Sequence, residues 1–125
     1  MFNTRLKQEL SALREELSSL QQVKESLESE MMALTLDPDG RIESVNAIFL
    51  QEMAYQASQL QGRLIEELVP AHVRQDAFQL RFKNALVRGE HFAGTVRLNR
   101  GNGDEAWLRS IMQPVRSSDG RIKHF

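Results

Sequence analysis

Leu36-Asp37-Pro38-Asp39-Gly40-Arg41-Ile42-Glu43-Ser44-Val45-Asn46 is the stretch whose reading decides the fold. Proline sets the first dihedral of a turn and glycine accepts a positive one, so Pro38-Asp39-Gly40-Arg41 reverses the chain. Ile42-Glu43-Ser44-Val45 alternates apolar and polar side chains and pairs back on the strand of Ala33 to Asp37. Asn46 stands where a helix N-cap belongs, ahead of Ala47-Ile48-Phe49-Leu50-Gln51-Glu52-Met53, a short helix that Glu52 lengthens toward Tyr55. Strand, turn, strand and capped helix in quick succession open a mixed domain.

Downstream, residues 56–69 hold two small helical pieces broken at Gly62, and Val69-Pro70 forces an extended joint. From Ala71 to Arg88 the apolar positions Val73, Ala77, Phe78, Leu80, Phe82, Ala85 and Leu86 predict the longest helix of this region, ended by Gly89. Period-two alternation follows, with Phe92, Gly94, Val96 and Leu98 on one face. Gly101-Asn102-Gly103-Asp104 then turns the chain into a strand from Ala106 to Val115. Ser117-Ser118-Asp119-Gly120 turns a third strand, Arg121 to Phe125, read as cut short. The order predicts an α+β domain over residues 35–125, a five-stranded antiparallel sheet with helices on one face.

Upstream the pattern changes period. Leu6, Leu10, Leu13, Leu17, Leu20, Leu27, Met31 and Leu34 follow alternating steps of four and three, with Lys24 the one polar seam residue in that run. A strict seven-residue repeat holds one narrow stripe on a partner helix, so residues 1–34 read as a coiled-coil dimerisation helix. Glu9 at a g position faces Arg14 at e of a parallel partner, and Lys24 at a resembles the polar seam residues that fix register. The partner expected is a second copy of the chain.

Composition narrows the function. The net charge of −1 splits into −2 for residues 1–34, with four Lys or Arg against six Asp or Glu, and +1 for residues 35–125, with twelve against eleven. Neither part is a polyelectrolyte, which argues against nucleic acid or an anionic membrane as partner. No apolar run approaches the length of a bilayer span and the N-terminus lacks a signal-peptide core, so the expected location is the cytoplasm. The absence of cysteine excludes thiolate metal sites, cysteine nucleophiles and cysteine photoadducts. The histidines, His72, His91 and His124, lack metal-ligand spacing, and phosphate loops, nucleophile elbows and HExxH motifs are missing. The chain is read as a non-enzyme without a metal site.

The ordered set of motifs resembles the PAS family. Leu36-Asp37-Pro38-Asp39-Gly40-Arg41-Ile42 with Val45-Asn46 is similar to its opening hairpin and helix cap, and Tyr55, Leu60, Gly62 and Arg63 to its mid-domain stretch. Val69-Pro70 matches its helix joint, and Trp107-Leu108, Gln113-Pro114-Val115 and Asp119-Gly120-Arg121-Ile122 its last hairpin. Ala54 departs from the glycine that usually precedes the tyrosine. The resemblance implies a signal-sensing and dimerisation module of a cytoplasmic bacterial signal-transduction protein. The seam running directly into the domain is similar to soluble methyl-accepting chemotaxis receptors, with a downstream signalling domain in the same chain. Histidine kinases and diguanylate cyclases use the same module.

By the same resemblance a ligand pocket lies between the sheet and the helices. Strand parity turns Val96, Leu98, Leu108, Ser110 and Met112 inward, and Phe49, Met53 and Phe82 complete the candidate wall for a small molecule. No cofactor is the first expectation. Haem is the alternative, with His72 as its axial ligand, weighed against a surface histidine. FAD ranks lower, because flavin-binding relatives place amides where Leu98 and Leu108 stand. Arg74, Arg81, Arg88, Arg97 and Arg100 read as a solvated set, and His91 as solvated too. Trp107, Arg109, Ile111 and Gln113 take the outward parity, and Trp107 with Ile111 forms an apolar patch assigned to the dimer interface.

Overall fold

The computed structural model describes residues 2–125, and the chain divides after Met31 into two units. The first holds α1 (Phe2–Glu30), a helix of 29 residues, about 44 Å long at 1.5 Å per residue. Leu6, Leu10, Leu13, Leu17, Leu20 and Leu27 are all exposed along it, as is Val23, and Met31 is exposed just past its end. Pairs four residues apart decorate it, Arg5–Glu9 at 3.5 Å and Lys24–Glu28 at 4.0 Å, each worth a few tenths of a kcal/mol. Leu34, spaced correctly for the seam, does not belong to it. The helix stops at Glu30 and Leu34 opens the first strand, where it packs against the core of the second unit.

In that second unit β1 (Leu34–Leu36) and β2 (Ile42–Val45) pair antiparallel, Leu34 opposite Val45 and Leu36 opposite Ile42. The predicted turn closes on Asp37, whose Oδ1 accepts from the N–H groups of Asp39 and Arg41, both at 2.9 Å. Gly40 takes φ 86°. Next come α2 (Ala47–Met53) and α3 (Ala57–Leu60), followed by 3₁₀ turns at Ile65–Leu68 and Ala71–Val73. The long helix α4 covers Ala77–Arg88 and begins later than its stripe suggests. Val73 is buried by the separate turn after Pro70, so an apolar residue in helical phase belongs to another element.

Two longer strands, β3 (Phe92–Asn99) and β4 (Glu105–Met112), pair without a slip from Phe92 opposite Met112 to Asn99 opposite Glu105. The strand expected to run unbroken to Val115 stops at Met112. Proline has no N–H to give a ladder, and Gln113-Pro114 separates β4 from β5 (Val115–Arg116), which pairs with β6 (Ile122–His124). Regular pairing is therefore confined to three antiparallel ladders, β1 with β2, β3 with β4 and β5 with β6, in place of the expected five-stranded ladder. Leu36 and Phe125 exchange two backbone bonds, at 2.9 and 2.8 Å, an antiparallel rung that links β1 to the end of β6.

One apolar cluster lies between strands and helices. It joins Leu36, Ile42, Val96, Leu98, Ala106 and Met112 of the strands to Phe49, Met53, Leu60, Phe82 and Ala85 of the helices, with Leu68, Val69 and Val73 from the turns. Burial of each larger side chain stabilises the fold by roughly 1.5–3 kcal/mol.

Ala54 resolves the departure noted in its motif. It caps the C-terminus of α2 at φ 57° and ψ 44°, the left-handed conformation, with its N–H directed to Leu50 and Gln51 carbonyls. A β-carbon is disfavoured there by about 1–2 kcal/mol, part of which glycine returns through its freer unfolded chain. Ala54→Gly is therefore expected to stabilise the domain by about 0.5–1 kcal/mol, read as a higher urea midpoint at unchanged slope.

Candidate sensor core and outer sheet face

The candidate wall is assembled from α2, α4, β3 and β4. Asn46 accepts the N–H of Phe49 on Oδ1 at 3.0 Å and starts α2, which directs Phe49 and Met53 into the core. Strand parity holds as expected: Val96, Leu98 and Met112 are buried, while Leu108 is half-buried against the same cluster. Ser110 sits at their register, but its hydroxyl donates to Leu108 O at 3.2 Å on its own strand. The eight candidates thus share one region, and six of them, Phe49, Met53, Phe82, Val96, Leu98 and Met112, are core side chains packed in the cluster. Two open clefts lie elsewhere on the surface. One of about 270 Å³ is lined by Glu66, Glu67, Arg74 and Lys83 among others, and one of about 80 Å³ lies beside Gly40, Leu86 and Val87.

A flavin in this region would meet few polar side chains. Its ring edge needs converging polar partners, whereas Leu98, Leu108 and Met112 present hydrocarbon and sulfur. Gln79, the one buried polar side chain among the described residues, spends its Oε1 on the N–H of Arg97 at 2.7 Å. A haem ligand fares no better. His72 is turned to Glu105, its Nε2 3.2 Å from Oε1, with an exposed side chain. Among the described residues no group of three or more His, Cys, Asp or Glu is arranged to hold a metal ion.

The end of α2 is clasped to the β3–β4 hairpin. Tyr55 donates its hydroxyl to Asn99 O at 2.6 Å, and Gly101 N–H donates to Met53 O at 2.8 Å. Burial raises the Tyr55 pKa, opposed by the positive charge of Arg63. The folded phenol thus holds its proton more tightly than the unfolded one, whose ordinary value is 10.0. That contribution is intact below the unfolded value and is lost as pH rises through the folded one. Unfolding midpoints at increasing alkaline pH should therefore fall more steeply for the native protein than for Tyr55→Phe, which also loses about 1 kcal/mol of hydrogen bonding at neutral pH.

On the outer face Trp107 is 64% and Ile111 78% exposed, the parity expected of them. Trp107 is held nonetheless. Its ring stacks on Phe78 of α4 at 6.1 Å between centroids, and the Arg97 guanidinium lies 4.2 Å above it. Arg97 forms an ion pair with Glu105, and its Nη2 is 3.4 Å from His72 Nε2. The expectation of a wholly solvated arginine set is thus corrected at Arg97, whose side chain is only 15% exposed, and at Arg100, which is half-buried with its Nε out of solvent. Register from the Gly101–Asp104 turn places Arg97 opposite Trp107, a signal present in the sequence. The buried amide of Gln79, on a helix that periodicity describes only by its apolar stripe, left no such signal. His91 is exposed as expected, with Nδ1 2.9 Å from Gln113 Oε1.

Short antiparallel ladders facing a set of small helices and one long one, with an apolar cluster between, define an α+β sensory-type fold preceded by a long helix. The chain belongs to the PAS domain family, whose profile matches residues 29–125. Over 97 residues, 78% of this chain and 23% of the relative, it is 32% identical to the biofilm dispersion protein BdlA of Pseudomonas aeruginosa. It is 29% identical to a blue-light-activated histidine kinase of Brucella canis over 93 residues, 70% of this chain and 18% of that protein. The fold also matches the light-oxygen-voltage (LOV) domain of the Erythrobacter litoralis EL346 blue-light-activated histidine kinase, at TM-score 0.67 and 21% identity. That match covers 76% of this chain and 89% of the other. The chain spans less than a quarter of the curated relatives' length.

Proposed function

We infer that the chain is the dimeric, non-enzymatic sensing segment of a cytoplasmic bacterial signal-transduction protein of the methyl-accepting chemotaxis receptor class, with its output domain elsewhere in the same protein. The observation that carries this reading is the exposed leucine seam of α1, regular from Leu6 to Met31 and set directly before a PAS domain. Six exposed seam side chains on α1, with Met31 just past its end, are a stripe that a second copy covers by the same spacing. Leu6, Leu10, Leu13, Leu17, Leu20, Lys24, Leu27 and Met31 are the seam contacts, and the outward Trp107 and Ile111 are a second apolar patch for the partner copy. No helix among the described residues is long and apolar enough to cross a membrane. The ligand this core admits is a small apolar molecule that displaces part of the Phe49, Met53 and Met112 packing.

Sedimentation equilibrium at micromolar concentration tests the reading. A species of twice 14.3 kDa is expected, and a monomer overturns it. The histidine kinase relative favours a second reading, in which the module serves a kinase and carries a flavin; a flavin absorbance band in the purified protein would establish the flavin and displace the cofactor-free reading, and a Soret band lost in His72→Ala would do so for haem.

A further inference from the structure

We propose that Asn46 is a positioning residue that couples the packing of the core to the chain entering the domain from α1; this rests on the sensor reading above. Its side chain does two things at once. Oδ1 accepts the N–H of Phe49 at 3.0 Å, capping α2, and also accepts the N–H of Ala33 at 3.0 Å. Its own backbone N–H donates to Ala33 O at 2.9 Å, so Asn46 and Ala33 form a two-bond rung beyond the Leu34–Val45 pair. Ala33 lies two residues past Met31, where the chain divides.

The geometry makes one oxygen the shared partner of two elements. Phe49 is both the residue whose amide the oxygen caps and a buried side chain of the core. A shift of α2 that repacks Phe49 must carry the Asn46 oxygen with it or break the cap. The Ala33 rung follows, and with it the residues that lead back to the last seam position, Met31.

A double-mutant cycle tests this in the full chain. The sequence has no cysteine, so Met31→Cys introduces a single thiol whose disulfide formation between copies reports the root of the seam. Phe49→Leu trims the core side of α2. With Asn46 in place, Phe49→Leu is expected to move the Ala33 amide resonance and change the cross-linking rate by at least ~3-fold; with Asn46→Ala the same trimming leaves both nearly unchanged, and Asn46→Asp restores the effect. Should Asn46→Ala fail to fold, Asn46→Ser takes its place: its shorter side chain keeps a cap oxygen for Phe49 but draws it back from Ala33, so the response is expected to be lost while α2 stays capped. Equal responses with and without the Asn46 oxygen, or no response in either background, overturn the proposal. Absence of any cross-link with native Phe49 and Asn46 counts against the dimer instead, and the Ala33 resonance still decides the role of Asn46.

Discussion

Replacing Leu13 and Leu20 together by glutamine should leave the protein monomeric at micromolar concentration while the PAS domain stays folded. Both are fully regular seam positions and both are exposed on the single chain, so neither contributes to the core of residues 32–125. In the dimer each buried leucine stabilises by roughly 2 kcal/mol, and four are lost per pair of chains, so the total of about 8 kcal/mol raises the dissociation constant by roughly six decades. Helical circular dichroism falls, because an isolated helix of this kind depends on its partner face. The strand signal and the thermal transition of the domain are expected to persist. Sedimentation equilibrium with thermal melts on the same samples reads both. A dimer that survives the double substitution would move the interface to Trp107 and Ile111, and joint loss of dimer and domain would make the domain itself dependent on association.

The second large effect is expected at Gly101. A β-carbon built there lies 2.0 Å from the carbonyl oxygen of Ala54 and 3.1 Å from Tyr55 Cδ1. The oxygen belongs to the backbone and cannot rotate aside. Gly101→Ala must push the hairpin off the end of α2, which breaks the Gly101–Met53 hydrogen bond and stretches the Tyr55–Asn99 bond. Overpacking and the lost bonds together cost about 3 kcal/mol. In a domain of this size that lowers the melting temperature by roughly 15 °C. Gly103 supplies the control, because it stands in the same turn at φ 95° with nothing within 4 Å of a built β-carbon. Its alanine variant meets only the backbone strain of a positive φ, about 1 kcal/mol. Similar losses at both positions would show that the close approach to Ala54 is not what limits Gly101.

Both effects depend on contacts of different range, and the same difference separates what could be read in the chain from what could not. The Asp37–Arg41 turn, the Asn46 cap and the inward or outward parity of β3 and β4 follow from residues within a few positions of one another, so they were legible. The heptad spacing of α1 was legible for the same reason. Leu34 and Val73 stand outside the elements their spacing predicts, because a residue in phase with one element can be taken by another that offers it a buried site. Periodicity records spacing, while burial decides ownership.

By itself the sequence determined the order of strand-rich and helical segments, the heptad spacing before them and the face on which Trp107 and Ile111 stand, since local dihedral preferences and periods of two and of three and a half require nothing distant. Only the tertiary structure decided that Ala54 bears a left-handed turn, that Gln79 is buried against the edge of β3, that Arg97 is pinned over Trp107, and that Phe49, Met53, Leu98 and Met112 pack on one another. Each of these depends on which surfaces meet, and at close-packed interfaces an ångström of approach separates a contact from a clash.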